Sequence, residues 1–414
     1  MRNVYIAGVG MTRFGKWLDR NMKSLAAEAV NHALDDASLS KDDPTIAFVG
    51  NAAQGLITGQ ECVRGQVVLR EMGIGGIPVV NVENACASSS TALHLAWQAV
   101  AGGFHECALV LGMEKLYSED KRKTFAAFGA AVDVEFLASI KEMLKAQEKK
   151  AAEKGDAGAE SGKSRSMFMD FYAMAARDHM SRYGTTKEQL AAVAAKNAFH
   201  GSLNPNAQYR ESKTVAEVLA SPLVAEPLTR LMCAPIGDGA AALVVVSGDF
   251  QKRFSTRGES PRPVRIAASV LRTGRDRQPD ETDPVAEAAR LAYEQAGLGP
   301  DDVNLAEVHD ATAPAELIIM EELGFCAPGE SGKLVEEGVT RLGGKRPVNT
   351  SGGLIARGHP VGATGAAQIY ELTEQLRGRC GARQVAHARV ALAENAGGAV
   401  RADPAAVAIH ILTV

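Results

Sequence analysis

One strand–helix–strand scheme appears twice in this chain, about 260 residues apart. Residues 4–9 read as a strand and 24–37 as a helix carrying Leu25, Ala29, Val30, Ala33 and Leu34 on one face; residues 46–49 read as the next strand. Residues 264–270, 284–298 and 304–310 follow in the same order, and residues 81–101 and 359–376 occupy matching places. So long a period describes a duplicated unit and no solenoid. A pseudo-two-fold body built from two copies would turn equivalent loops to one side. Cys86 and the segments around His309, His359 and Asn395 are therefore expected to converge.

Further apolar runs at 107–111, 240–246, 390–392 and 407–412 alternate with helical periodicity, which predicts an α/β fold with a largely parallel sheet. Residues 168–183 and 187–200 read as helices. The division expected is 1–116 with 235–250 as the first half, 117–234 as an insert, and 260–414 as the second half. Within the insert, residues 141–166 are rich in Lys, Glu, Ala and Gly, and read as a solvated excursion or as a basic rim for a phosphate-bearing ligand.

With 414 residues, 46% of them hydrophobic, the chain can bury a large core. A formal net charge of -4 does not suggest a nucleic-acid footprint. Six cysteines without close pairing or CxxC spacing argue against a disulfide framework and an internal zinc site. The start, MRNVYIAGVGM, reads as a strand and not a signal peptide, and no apolar run is long enough to span a bilayer. These features lead to the expectation of a soluble, cytoplasmic protein.

Cys86 lies where an apolar run gives way to a helix whose Leu93, Ala96, Trp97 and Val100 share a face. Ser88, Ser89, Ser90 and Thr91 offer capping hydroxyls. A cysteine at a helix N-terminus meets unpaired N–H groups and the positive end of the dipole, both of which favour thiolate. On position alone a nucleophile and a buried structural cysteine remain open.

Four motifs in order carry a family resemblance: ENACASSSTAL around Cys86, EVHDAT around His309, NTSGGLIARGHPVGATGA around His359, and ENAGGA near the end. With these the chain resembles the thiolase superfamily over nearly its whole length, and within it the sterol-carrier-protein-type thiolases. The resemblance implies two duplicated βαβαβαββ-type halves packed as a five-layer αβαβα body. It implies Cys86 as the nucleophile taking up an acyl group as a thioester, and His359 as the base accepting its proton. His309 would hydrogen-bond the substrate's thioester oxygen. The N–H groups of Cys86 and of Gly397 or Gly398 would form an oxyanion hole. Ser351 and Gly352 are expected to touch the pantetheine arm of coenzyme A, a co-substrate; no cofactor or metal is expected. The implied assembly is a homodimer core, with a small OB-fold and zinc-ribbon acyl-CoA-binding subunit as a further partner.

The chain also departs from the family. The sterol-carrier-type pattern places an acid/base cysteine directly after His-Asp, where this chain has Ala311 after His309 and Asp310. Other thiolases carry that thiol near the C-terminus, where Glu394, Asn395, Ala396 and Gly397 stand here. Cys326 is poorly positioned to replace it. Glu394 is the candidate acid/base, with Asn395 beside it; alternatively the substrate's leaving fragment stabilises itself, or the chain has left thiolysis. The first functional expectation is thiolytic cleavage of a 3-oxoacyl-CoA, aryl or branched, of the benzoylsuccinyl-CoA kind. An acyl-CoA retro-aldolase and a non-catalytic acyl-CoA-binding or scaffold subunit are the alternatives. A condensing ketosynthase fits least, since its His-Gly-Thr segment is missing.

Overall fold

The computed structural model describes residues 1–136, 138–139, 166–255, 262–278, 281–401 and 403–414. The polar stretch at 141–166 lies outside the described residues apart from Ser166. Among the described residues eleven strands are formed: β1 (Val4–Met11), β2 (Ile46–Gly50), β3 (Val79–Val82), β4 (Cys107–Lys115), β5 (Leu223–Ala225), β6 (Leu228–Thr229), β7 (Asp238–Ser247), β8 (Val264–Arg272), β9 (Leu305–Glu307), β10 (Val390–Val400) and β11 (Asp403–Thr413).

Nine of them make one continuous sheet in the order β3-β2-β4-β7-β1-β8-β11-β10-β9, and β5 with β6 forms a separate hairpin. The order repeats outward from the β1–β8 junction, where only Tyr5 with Arg265 and Ile6 with Val264 are in register. On one side β7, β4 and β2 follow; on the other, β11, β10 and β9. The place of β3 is taken in the second half by a single parallel bridge, Ala306 to Val348. Pairing within both halves is mixed: β2 runs parallel to β3 and β4, and β9 to β10, whereas β7 and β11 are antiparallel to their neighbours. The sheet is thus less parallel than expected, because hairpin-like returns such as β10–β11 replace helical crossovers.

Three hydrophobic cores separate five layers. The Met22–Ala37 helix, capped by Asn21, covers β1, β2, β4 and β7 from one outer side. The Pro284–Ala296 helix covers β8 and β11 on the other; Asp283 caps its start, proline takes the first turn, and Gly297 ends it at φ 69°. Between the half-sheets lie the Ser88–Ala101 and Thr364–Leu376 helices, packed in the central core. Small residues let the ends of these two helices meet. A Cβ on Gly365 would lie 2.0 Å from Ser90 Oγ, and Ala366 N donates to Ser89 Oγ at 2.9 Å. Ser89 therefore binds the neighbouring helix and Ser90 accepts from Asn395 Nδ2 on β10 at 3.1 Å, where capping of their own helix was expected.

Candidate active site

Cys86 sits in a one-turn 3-10 segment, Ala85–Ala87, between β3 and the Ser88–Ala101 helix. Ala85 takes φ 47°, a conformation that costs an L-residue about 1 kcal/mol or more and is typical of functional turns. Three contacts hold it: Ala85 N donates to Glu83 Oε1 at 2.6 Å, Ser88 Oγ donates to Ala85 O at 2.6 Å, and Asn395 Nδ2 donates to the Cys86 carbonyl at 3.0 Å.

The partner of the thiol comes from the other half of the chain. His359 Nε2 lies 3.2 Å from Cys86 Sγ. His359 precedes a proline and a short turn, Val361–Ala363, so the inner helix starts only at Thr364, later than its apolar pattern predicts. The Thr364 hydroxyl gives its proton to Pro360 O at 3.2 Å and leaves a lone pair for His359 Nδ1 at 2.7 Å. That fixes the proton on Nδ1 and leaves Nε2 bare toward the thiol.

Electrostatics correct one expectation. Burial, reinforced by the Glu114 carboxylate, pushes the Cys86 thiol up to about 12. The N–H groups of Cys86 itself and of Gly398 point at the sulfur and pull the other way without prevailing. The helix N-terminus does not deliver a resting thiolate; a neutral thiol faces a neutral imidazole, since burial and the neighbouring His309 and Arg357 hold His359 well below the usual range. Glu114, which no sequence motif singles out, accepts from Ala52 N at 3.0 Å, Gly362 N at 3.0 Å and Asn51 Nδ2 at 3.0 Å, tying the 51–52 loop to the turn after His359. Its only sequence signal is a charge at the end of an apolar strand.

His309 follows β9, with its ring edge-on to His359 at a centroid distance of 5.2 Å. Burial lowers it to about 4, and its Nε2 is buried without a partner. Its backbone N–H donates to Glu394 Oε2 at 2.9 Å, while Glu394 Oε1 has no partner. Desolvation, with Asp283 adding to it, raises the Glu394 carboxyl to about 7. Of the two glycines on β10, Gly398 aims its N–H at the sulfur. Gly397 packs instead: a Cβ there would lie 2.2 Å from Asn84 O.

Cys86, His309, His359 and Glu394 open on one cavity of about 1250 Å³, walled by Phe125, Phe128, Phe168, Phe171, Tyr172 and Ile318 among others. Cys326 is not part of its lining. Nor are Ser351 and Gly352, the residues expected to touch the pantetheine arm. Ser351 is wholly buried, donating through Oγ to Glu307 Oε2 at 2.5 Å and accepting from Arg357 Nη1 at 3.2 Å, while Gly352 packs on Gly201. Both brace the loop that carries His359. The donor atoms of Cys86, His309 and His359 lie within 4.8 Å of one another, so they are also the group among the described residues whose spacing a metal ion could accept.

A thiol and an imidazole joined across a duplicated α/β body, beside a large apolar cavity, suit acyl transfer through a thioester. The chain belongs to the thiolase family: residues 4–249 match the family model "Thiolase, N-terminal domain" and residues 271–410 match "Thiolase C-terminal domain-like". It is 37% identical over 418 residues to an acetyl-CoA acetyltransferase of Methanothermobacter thermautotrophicus, covering 100% of both chains. It is 37% identical over 411 residues to the benzoylsuccinyl-CoA thiolase subunit BbsB of Thauera aromatica, covering 97% of this chain and 96% of that one. Human sterol carrier protein 2 is 36% identical, covering 96% of this chain and 70% of the relative. Among solved structures, an Ltp2-ChsH2(DUF35) aldolase superposes with a TM-score of 0.76 at 26% identity, covering 100% of this chain and 98% of that chain. Human mitochondrial 3-ketoacyl-CoA thiolase shares the fold, with a TM-score of 0.70 at 18% identity over 100% of this chain and 98% of that one.

Proposed function

We propose that this enzyme cleaves a bulky 3-oxoacyl-CoA, aryl or branched, with free coenzyme A by ping-pong chemistry through Cys86. The observation that carries the reading is the 3.2 Å contact of Cys86 Sγ with a His359 Nε2 kept bare by Thr364. In the first half-reaction the sulfur bonds to the 3-oxo carbon while its proton passes to His359 Nε2. The C2–C3 bond then breaks, its electron pair forming a thioester enolate whose oxygen is held by the free His309 Nε2. The Glu394 Oε1 proton goes to C2, and the shortened acyl-CoA departs. In the second half-reaction the coenzyme A thiol gives its proton to Glu394 and attacks the acyl carbon. Cys86 leaves with the proton from His359, and both groups are reset. The N–H groups of Cys86 and Gly398 face the tetrahedral oxygen.

The aromatic walls and the cavity volume support a bulky acyl group, since pockets of about 300–1,000 Å³ already hold drug-sized ligands. Benzoylsuccinyl-CoA, in the name of the Thauera relative, is one member of this class. A retro-aldolase is the second reading, favoured by the structural likeness to the Ltp2-ChsH2(DUF35) aldolase; it has no use for the Cys86–His359 pair. A purely binding or scaffold subunit has none either. We take the working unit to be a homodimer with a small OB-fold and zinc-ribbon subunit, in a cytoplasmic setting. The relative named as a subunit supports a partner, as do Phe136, Phe171 and Met174, exposed beside the cavity they line. All six cysteines are free thiols, and among the described residues no helix is long and apolar enough to cross a membrane. The test is a panel of aryl, branched and straight-chain 3-oxoacyl-CoA esters with and without coenzyme A. Cleavage that requires coenzyme A and favours the aryl or branched esters supports the reading. Cleavage of 3-hydroxyacyl esters without coenzyme A would replace it with the retro-aldolase.

A further inference from the structure

Three of the carboxyl groups that line the cavity, Asp283, Glu322 and Glu394, lie within one another's electrostatic reach, and what they select follows from the thiolase reading, on which this inference rests. Asp283 precedes the Pro284–Ala296 helix and Glu322 ends the Ala313–Glu322 helix; both line the cavity, and the Asp283 carboxyl acts on that of Glu322 as a like charge. Glu394, arriving on β10, lies within the electrostatic reach of both. Three carboxyls from three elements thus meet on the side of the cavity where His309 and Glu394 stand.

The counter-charge there is too small to neutralise them. Asp283 Oδ1 accepts from Val285 N at 2.9 Å, and its Oδ2 lies 2.7 Å from Arg277 Nη2. The same guanidinium serves Asp403, another lining residue, through Nε at 2.8 Å. One cation is shared between two carboxylates, so the cluster keeps a net negative charge even with Glu322 and Glu394 protonated. The remaining basic lining residues are engaged elsewhere. Arg401 pairs with Asp276, and Arg64 is bound to Asn51 Oδ1 at 2.9 Å, in the field of Glu114.

We propose that Asp283 and Glu322 form a charge filter at C2 of the substrate, so that the fragment leaving as the enolate carries an uncharged substituent. Glu394 delivers its proton to C2, which places the substituent on that carbon against this wall. A carboxylate brought there sheds its water and meets like charge where little solvent screens it. A neutral methyl or ring carbon does neither. The filter narrows the aryl or branched class to members without a free carboxylate on the departing fragment, and so away from benzoylsuccinyl-CoA, whose departing fragment is a succinyl group.

The test uses the full-length Cys86→Ala protein, which cannot turn over the esters by this route, and calorimetric binding of two probes: 3-oxo-3-phenylpropanoyl-CoA bearing either a methyl or a carboxymethyl group at C2. The methyl ester is expected to bind at least about tenfold more tightly. Asp283→Asn, which preserves helix capping, is expected to narrow that ratio by about threefold or more, and Glu322→Gln, replacing a carboxyl whose proton burial holds, by less. Equal or tighter binding of the carboxymethyl ester overturns the filter, as does a ratio unmoved by both variants or no binding of either ester. Should a variant fail to fold, the ratio in the Cys86→Ala protein alone decides. Acyl loading of Cys86 in the unmutated protein is scored separately. An adduct without the binding ratio removes only the filter; the ratio without an adduct removes only the thiolytic reading.

Discussion

At Glu394, which lines the cavity, Oε2 holds the His309 backbone and Oε1 is buried without a partner. A carboxyl raised to about 7 can give and take a proton near neutrality, as an acid/base must. The acid form donates, so single-turnover release of the shortened acyl-CoA is expected to slow as pH rises through about 7. Glu394→Gln should lower thiolysis by about 10²-fold or more and abolish that limb, and should also slow acylation of Cys86 by a plain acyl-CoA, the reverse of the second half-reaction, in which Glu394 protonates the departing coenzyme A thiolate. An unchanged limb in the variant would assign the proton elsewhere. The same shift has a sign for stability. The folded carboxyl keeps its proton to about 7 and the unfolded one loses it near 4.5, so this group makes unfolding easier as pH rises across that window. The residues brought together here, Cys86, His359 and His309, were legible as motifs, and Glu394 from its place in one. Thr364 and Glu114 were not, because their roles lie in partners 5 and more than 200 residues away that no local pattern reveals.

On the scale of single elements, the largest difference from the apolar pattern is β10. The pattern predicts a strand at 390–392, yet the strand runs to Val400. Glu394, Asn395, Gly397 and Gly398 lie beyond that apolar run, but Glu394 and Asn395 are buried polar groups with partners outside the strand, and the glycines allow close approach of the Cys86 turn. The loop before His359 differs in the opposite sense. It reads as a ligand contact, whereas Ser351 is a brace between Glu307 and a wholly buried Arg357. Ser351→Ala is therefore expected to cost about 1–3 kcal/mol in denaturant unfolding, with KM for coenzyme A unchanged. A several-fold rise in KM without loss of stability would return Ser351 to the substrate path.

For the whole molecule, the duplication was the most legible feature, because each copy carries its own strand and helix periodicity. The convergence of Cys86 with His309, His359 and Glu394 follows from it, since β3 and β9–β10 place their ends on one side of the central helices. The cavity's carboxyl wall was not legible: Asp283 reads as a helix cap and Glu322 as one more helical carboxylate. The central claim is that the two halves together make a thiol that carries an acyl group. The most direct measurement is intact-protein mass with peptide mapping after exposure to a panel of 3-oxoacyl-CoA esters in the absence of free coenzyme A. We expect a single acyl adduct on Cys86, discharged by coenzyme A and missing in Cys86→Ser. An unmodified protein at saturating ester, with any co-purifying subunit present, would contradict the account.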